Sequence, residues 1–420
     1  MSRAPLRVGV LGAGIVGREV IRMMVEHPER LCADGGAPLV LCGVACRDLD
    51  RARRSGVPSD LLTDAPAHLV ADPDIDVVVE LMGGDEPART LIAAALGAGK
   101  PVVTANKHVI AHHGPDLEAL ARRGEVALRF EAAVGGGIPV LAPLAGDLAA
   151  NAVRRVRGIV NGTTNYILSA MVDDGRGYGA VLADAQARGY AEADPAGDVE
   201  GDDAVNKLVI LVRLAFGRWL EPASVERRPP RLLGAGAAGI TGVTDRELLA
   251  AAALGLTIKL LASAQRAGDE IEAGVVPTAV PADSPFGRTS GVTNRIEIDA
   301  EPVGSISMGG PGAGGSPTSS AVLGDLVAVA RGLGSTWAGL QPAPPGASAA
   351  AGPMAATRRW FAFVPDPSAD GGARDRGIDA VPVADGVAVR TALLSLADAR
   401  RTVGPLVATG TDVTLYPIDD

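Results

Sequence analysis

The residues best suited to do chemistry lie in one acidic stretch, from Glu192-Ala-Asp194-Pro195 through Asp198, Asp202 and Asp203 to Lys207. The run Gly201–Phe216 reads as a helix, in which successive residues turn by about 100°. On that wheel Asp202, Asn206 and Arg213 share a face expected to meet solvent, while Asp203 and Lys207 join the stripe of Ile210 and Leu214. A carboxylate and an ammonium on the apolar side of a helix are costly unless they are paired or used. A lysine in a partly apolar site can have a lowered pKa and pass a proton at neutral pH. Hydride transfer to a carbonyl needs such a donor, because the oxygen gains negative charge as the hydride arrives. The plain alternative is an i,i+4 surface pair worth a few tenths of a kcal/mol, and the wheel argues against it. Glu192 and Asp203 would offer carboxylates to a substrate ammonium or hydroxyl. A calcium site in the same cluster fails on spacing, with Pro195 interrupting it.

A second set of residues points to a nucleotide. Gly12-Ala-Gly14-Ile15-Val16-Gly17 follows the apolar run Leu6–Leu11 and opens a helix. There Gly12 permits a tight turn, Gly14 lets the backbone approach a pyrophosphate, and Gly17 lets helix and strand pack closely. The helix N-terminus offers free N–H groups to the phosphates. The end of the next strand selects the cofactor. Arg47 stands there and suits a 2′-phosphate, hence NADP; Asp48 beside it keeps NAD open. Thr104-Ala-Asn106-Lys107 ends a later strand, which places Lys107 near the cofactor, since ligands of open α/β sheets bind outside the carboxyl ends of the strands. Glu131-Ala-Ala-Val134-Gly-Gly136-Gly-Ile138 reads, on chemistry alone, as a glycine-rich turn rather than a cation site. His108, His112 and His113 read as polar surface, and the five histidines form no metal spacing outside the sheet domain.

The elements that must position these residues alternate in the first third of the chain. Strands are expected at Leu6–Leu11, Leu39–Ala45, Ile75–Leu81, Pro101–Thr104 and Val126–Phe130, and helices at Ile15–Glu26, Pro87–Leu96 and Asp116–Arg123. That alternation means βαβ units and a doubly wound parallel sheet. Further on, a strand at Val153–Val160, helices at Asn165–Val172, Gly179–Arg188 and Gly201–Phe216, and strands at Ile271–Val280, Arg295–Ile298 and Pro302–Met308 describe a second, α+β domain. A helix at Pro317–Arg331 is expected to return to the first domain. The stretch 335–357 is rich in Ala, Pro and Gly and reads as a linker. The tail, 358–420, has a strand-like start at Arg359–Val364, a helix-like Arg390–Val403 and a strand-like end at Asp412–Ile418.

Composition narrows the classes. With 39 Lys+Arg against 49 Asp+Glu and no basic stripe, a nucleic-acid partner is not expected. Cys32, Cys42 and Cys46 are too few for a disulfide framework and suggest a reducing compartment, the cytoplasm. No apolar run reaches the roughly 18 residues needed to span a bilayer.

Taken together the motifs resemble homoserine dehydrogenase over about residues 6–332. They are the glycine fingerprint, Thr104–Lys107, Glu131–Pro139, Asn161-Gly-Thr-Thr-Asn-Tyr166, Gly189-Tyr-Ala-Glu-x-Asp-Pro195 with Asp198 to Lys207, and Gly310-Pro-Gly-Ala-Gly314 leading to Pro317-Thr318. The resemblance implies a Rossmann domain over 1–150 with a return segment at about 310–334, a catalytic and dimerisation domain over 151–309, and a homodimer. It implies reversible NAD(P)H-dependent reduction of L-aspartate 4-semialdehyde to L-homoserine, in threonine and methionine biosynthesis. Carried over, Lys207 resembles the proton donor, and Lys107 a second lysine touching substrate and nicotinamide. Glu192 and Asp203 resemble substrate ligands. Gly12, Gly14, Ile15, Val16, Gly17, Arg47, Thr104, Lys107, Gly189 and Gly314 would contact the cofactor. The carbonyls of Glu131, Val134, Gly136 and Ile138 resemble a sodium site. Family members often end in an ACT regulatory domain. Here Pro365–Gly372 lacks the expected helix, so the tail reads as a degenerate ACT-like segment and threonine feedback is not expected.

Two other functions fit less of the chain. A semialdehyde dehydrogenase that phosphorylates its substrate needs a nucleophilic cysteine in the second domain, and none follows Cys46. A non-enzymatic NADP-binding sensor would explain the glycines but not Asp203 and Lys207.

Overall fold

The computed structural model describes residues 4–352 and 356–420, and of residues 32–35 the backbone alone. The side chain of Cys32 and residues 353–355 of the expected linker lie outside the described residues.

The first unit runs β1 (Leu6–Leu11), α1 (Ile15–Glu26), α2 (Pro28–Gly35), β2 (Leu39–Ala45), α3 (Leu49–Arg54), β3 (Leu62–Thr63), α4 (Pro66–Ala71), β4 (Val77–Glu80), α5 (Ala88–Gly97), β5 (Val102–Thr104), α6 (Lys107–Arg123), β6 (Leu128–Arg129) and the short α7 (Leu141–Ala145). All its strand pairs are parallel, in the order β3-β2-β1-β4-β5-β6. This is the Rossmann order, with its crevice where β1 and β4 diverge. β4 is buried at every position, as a strand covered by helices on both faces should be. The bounds of β1, β2 and α1 are those read from the residues. α6 is longer than expected: it starts at Lys107 and runs on through Pro115 instead of beginning after it. Pro115 removes one N–H, yet the surrounding turns stay buried against the second unit.

The second unit contains β7 (Ala152–Ile159), α8 (Gly162–Asp173), α9 (Tyr178–Ala187), α10 (Ala196–Val199), α11 (Asp202–Phe216), a small hairpin β8 (Pro230–Arg231) and β9 (Gly234–Ala235), α12 (Asp245–Ala253), β10 (Leu256–Ala267), β11 (Glu270–Pro281), β12 (Thr293–Glu301) and β13 (Gly304–Pro311). Its antiparallel sheet has the order β11-β10-β7-β12-β13. β10 was not anticipated. Its Leu- and Ala-rich sequence carries helix propensity, and pairing along its whole length with β11 overrides it. α13 (Gly315–Ala330) then returns to α1, packing Val322, Leu323 and Leu326 with Val20, Ile21 and Met24.

Residues 335–352 of the stretch expected as a linker are irregular and mostly exposed, but their start is anchored. Trp337 is buried beside Phe130, with ring centroids 5.3 Å apart. The Ser335 and Thr336 hydroxyls accept from the Leu128 and Phe130 N–H groups, which covers the edge strand β6.

The tail departs from expectation. It is a complete βαββαβ unit: β14 (Trp360–Val364), α14 (Ala369–Asp375), β15 (Asp379–Val383), β16 (Gly386–Arg390), α15 (Leu396–Val403) and β17 (Tyr416–Pro417), in the order β15-β16-β14-β17. α14 supplies the helix thought missing, and the expected helix at Arg390–Val403 begins only at Leu396. Two glycines in α14 hide its helical pattern. Among the described residues no helix is long and apolar enough to cross a membrane.

Candidate active site

A cavity of about 630 Å³ opens between the carboxyl ends of the first sheet and helices α8, α10 and α11. Val16, Lys107, Gly136, Gly189, Glu192, Asp203, Lys207 and Gly314, all singled out from sequence, line it.

Its centre is the Asp203 carboxylate, which lies between two ammonium groups. Lys107 Nζ, at the first residue of α6, is 2.7 Å from Asp203 Oδ1. Lys207 Nζ, one turn along α11, donates to Asp203 Oδ2 at 2.7 Å and to the Val160 carbonyl at 2.6 Å. The Lys207 and Asp203 side chains are only 9% and 10% exposed, whereas Lys107 is 41% exposed toward the cavity. Burial lowers the Lys207 pKa and Lys107 adds to that, against the pull of Asp203. Burial alone would raise the Asp203 carboxyl, but the two lysines outweigh it and hold it well below the usual range. Asp203 in turn raises Lys107. An ammonium has three donors; Lys207 spends two on the protein, and its side chain lines the cavity.

One residue of this network, Asn161, has no role in the sequence reading beyond its place in a motif. Asn161 follows β7, caps α8 by accepting from the Thr164 N–H at 2.9 Å, and donates from Nδ2 to both Asp198 (2.7 Å) and Asp203 (2.8 Å). Burial pushes the Asp198 carboxyl up, against the Asn161 hydrogen bond. An asparagine directly after an apolar strand and before a helix is a capping signal, and it could have drawn attention to Asn161. Glu192 stands at the exposed rim.

The glycines of the fingerprint occupy three different environments. Gly12 has φ +107°, and a Cβ there would meet the Leu81 carbonyl at 2.5 Å. A Cβ on Gly17 would meet the Gly12 carbonyl oxygen at 2.1 Å, so only glycine lets α1 lie this close. Around Gly14 a Cβ would meet nothing within 4 Å, which leaves its backbone open to a ligand. Ile15 follows, 67% exposed, and a Cβ on Gly315 would stand 3.1 Å from it, so α1 and α13 begin side by side at the crevice. Arg47 is exposed just past β2. Thr104 is buried, its hydroxyl donating to Glu80 and accepting from the Asn106 N–H, so its side chain is already committed inside the protein.

The loop from Glu131 to Ile138 turns through Gly135 (φ +76°) and Gly136 (φ +58°). A Cβ on Gly136 would meet the Gly312 carbonyl at 2.6 Å. The Glu131 carboxylate accepts from the N–H groups of Val140, Leu141 and Ala142 at the start of α7, and burial pushes its pKa up against those bonds. Among the described residues no group of three or more His, Cys, Asp or Glu side chains could hold a metal.

One expectation from the sequence is corrected. The Asn206 and Arg213 face of α11 is buried, not solvated: Arg213 is fully buried and bound to Glu118 of α6. His112 is exposed and His108 and His113 are partly exposed, in keeping with a polar surface, and they make polar contacts there: His112 bonds the Asn206 side chain at 3.1 Å and stacks on His108, and His113 bonds Asp85.

A family model described as the NAD binding domain of homoserine dehydrogenase matches residues 12–131, and one described as homoserine dehydrogenase matches residues 139–327. The chain belongs to the homoserine dehydrogenase family. It is 48% identical over 332 residues to the homoserine dehydrogenase of Mycobacterium tuberculosis (strain ATCC 25618 / H37Rv), covering 78% of this chain and 73% of that one. The crystal structure of a homoserine dehydrogenase from Thiobacillus denitrificans aligns over 100% of both chains, at 33% identity and a TM-score of 0.88. A hyperthermophilic archaeal homoserine dehydrogenase in complex with NADPH aligns over 77% of this chain and 97% of that one, at 25% identity and a TM-score of 0.64. Membership in the homoserine dehydrogenase family makes the chain an NAD(P)-dependent oxidoreductase and leaves the sensor reading without support.

Proposed function

We propose that the chain reversibly reduces L-aspartate 4-semialdehyde to L-homoserine with NADPH, and that Lys207 is the proton donor. The observation that carries this reading is the Asp203 carboxylate bridging Lys107 and Lys207 on the cavity wall. The crevice fits a dinucleotide: Gly14 leaves open space, α1 presents its free N–H groups, and Gly12 and Gly17 admit no side chain. Ile15, Val16, Gly189 and Gly314 would flank the cofactor, with the Thr104 backbone at the strand end. Arg47 would hold the 2′-phosphate. When bound, the reduced nicotinamide supplies the hydride.

The protein supplies the rest. Glu192 and Asp203 hold the substrate ammonium. An ionised carboxylate has about four acceptor sites, and Asp203 has used three, on Lys107, Lys207 and Asn161. Lys207 gives its proton to the carbonyl oxygen as charge develops there, and Lys107 stabilises the same oxygen. In the reverse direction a neutral Lys207 takes the proton from the hydroxyl.

The carbonyls of Glu131, Val134, Gly136 and Ile138 would hold a sodium ion, since hard oxygen donors suit such a cation and paired left-handed glycines orient this loop. A melting temperature raised by sodium chloride but not by choline chloride supports that site. The same reading makes the protein a cytoplasmic homodimer serving threonine and methionine biosynthesis, and sedimentation tests the dimer. The decisive assay follows absorbance at 340 nm with homoserine and NADP. Lys207→Ala should lower turnover about 10²- to 10⁴-fold while NADPH binding persists, and near-normal turnover in that variant rejects the assignment.

A further inference from the structure

Lys107 and Lys207 come from different units, so α6 and α11 must be held at one axial register. We propose that the buried Glu118–Arg213 pair sets this register, making Glu118 a positioning residue for Lys107. The inference rests on the reading of Lys107 and Lys207 as the working lysines.

The two helices lie side by side and run in the same direction, joined by three polar rungs. Lys107 meets Asp203, His112 meets Asn206, and Glu118 meets Arg213. From first rung to last, α6 rises about 16 Å and α11 about 15 Å, so the rungs match in length. The last rung is the most enclosed. Glu118 Oε2 accepts from Arg213 Nε at 2.8 Å and from Trp219 Nε1 at 2.9 Å, and Oε1 accepts from Arg213 Nη2 at 2.6 Å and from Arg122 Nε at 2.8 Å. Both side chains are buried, 3% and 0% exposed. Arg213 Nη1 has no hydrogen-bond partner, so among the described residues its guanidinium relies on Glu118 and the Gln341 carbonyl.

A planar fork on a carboxylate tolerates little sliding, unlike apolar contacts between helices. A slip of α6 by one residue would carry Lys107 about 1.5 Å, enough to break its 2.7 Å contact with Asp203. Lys207 would then lose a neighbouring positive charge and become a weaker acid.

Double-mutant kinetics test the idea. Glu118→Gln should lower kcat about 10- to 100-fold with the KM for NADPH little changed, and should move the basic limb of the kcat profile for aldehyde reduction to higher pH. In a Lys107→Ala background the same change should cost nothing further. If the losses from Glu118→Gln and Lys107→Ala multiply, or if Glu118→Gln behaves as wild type, Glu118 does not act through Lys107 and the proposal is overturned. If Lys107→Ala alone leaves kcat unchanged, the reading of the lysines fails instead. Arg213→Lys keeps the charge and loses the fork, and it carries the same cycle should Glu118→Gln not fold.

Discussion

At the scale of single residues, the site is one carboxylate shared by two ammonium groups of unequal burial. Because burial lowers Lys207, its charged form is lost at a lower pH than for an ordinary lysine. Reduction needs the ammonium and oxidation the free amine. kcat for reduction should therefore fall as pH rises through the Lys207 pKa, while kcat for homoserine oxidation rises across the same interval; initial rates in both directions check this. Asp203→Asn removes the charge that holds both lysines and should cost about 3–5 kcal/mol of stability, read by chemical denaturation. Wild-type Asp203 is ionised far more readily when folded than when unfolded. Its contribution is therefore present above the ordinary aspartate pKa and lost as pH falls toward the folded value, so the variant should lose less stability in acid than wild type. The placement of Asp203 and Lys207 on the apolar stripe of α11 was legible in the sequence. Arg213 was not: a lone arginine at helical spacing gives no sign that a glutamate more than ninety positions earlier will meet it.

Among elements, the contact of α6 with α11 is the most sensitive. Gly114 lies midway along α6, and a Cβ there would stand 2.5 Å from the Trp219 ring. Gly114→Ala should therefore destabilise the protein by about 1–3 kcal/mol through overpacking, despite the better helix propensity of alanine; a melting curve decides. Lys259 on β10 poses a different problem. It is buried, forms no salt bridge among the described residues, donates to Asn165 Oδ1, Ser169 Oγ and the Thr289 carbonyl, and burial lowers it to about 8 against the pull of Asp173. Between about 8 and the ordinary lysine value the unfolded chain binds more protons, so this residue stabilises increasingly as pH rises. The stability difference between wild type and Lys259→Met should move in favour of wild type from pH 8 to 10.5. Short apolar runs closed by a glycine turn, such as β1 before Gly12, were readable to the residue. Elements that depend on distant partners were not: Gly114-Pro115 looks like a helix start until α11 is seen beside it, and β10 looks helical until β11 pairs with it.

At the scale of the whole molecule, the tail and the second sheet are fastened together. Asp419 sits between Arg155 and Arg157 of β7, 2.9 Å from Arg155 Nη1, and Ile418 bridges Ala279 of β11. Asp419→Ala should cost about 1.5–3 kcal/mol and quicken proteolysis within residues 335–357, with little change in turnover at saturating substrate; limited digestion followed by mass spectrometry reads it. The composition of the tail concealed its fold, because the glycines of α14 and the short β17 carry almost no periodicity. The division of the active site between two units has a practical outcome for anyone building chimeras. A transplanted nucleotide-binding half has to arrive with a matching far end of α6, or its first lysine will sit beside the wrong atom. Grafting the fingerprint loop alone could restore coenzyme affinity and leave the hybrid inert.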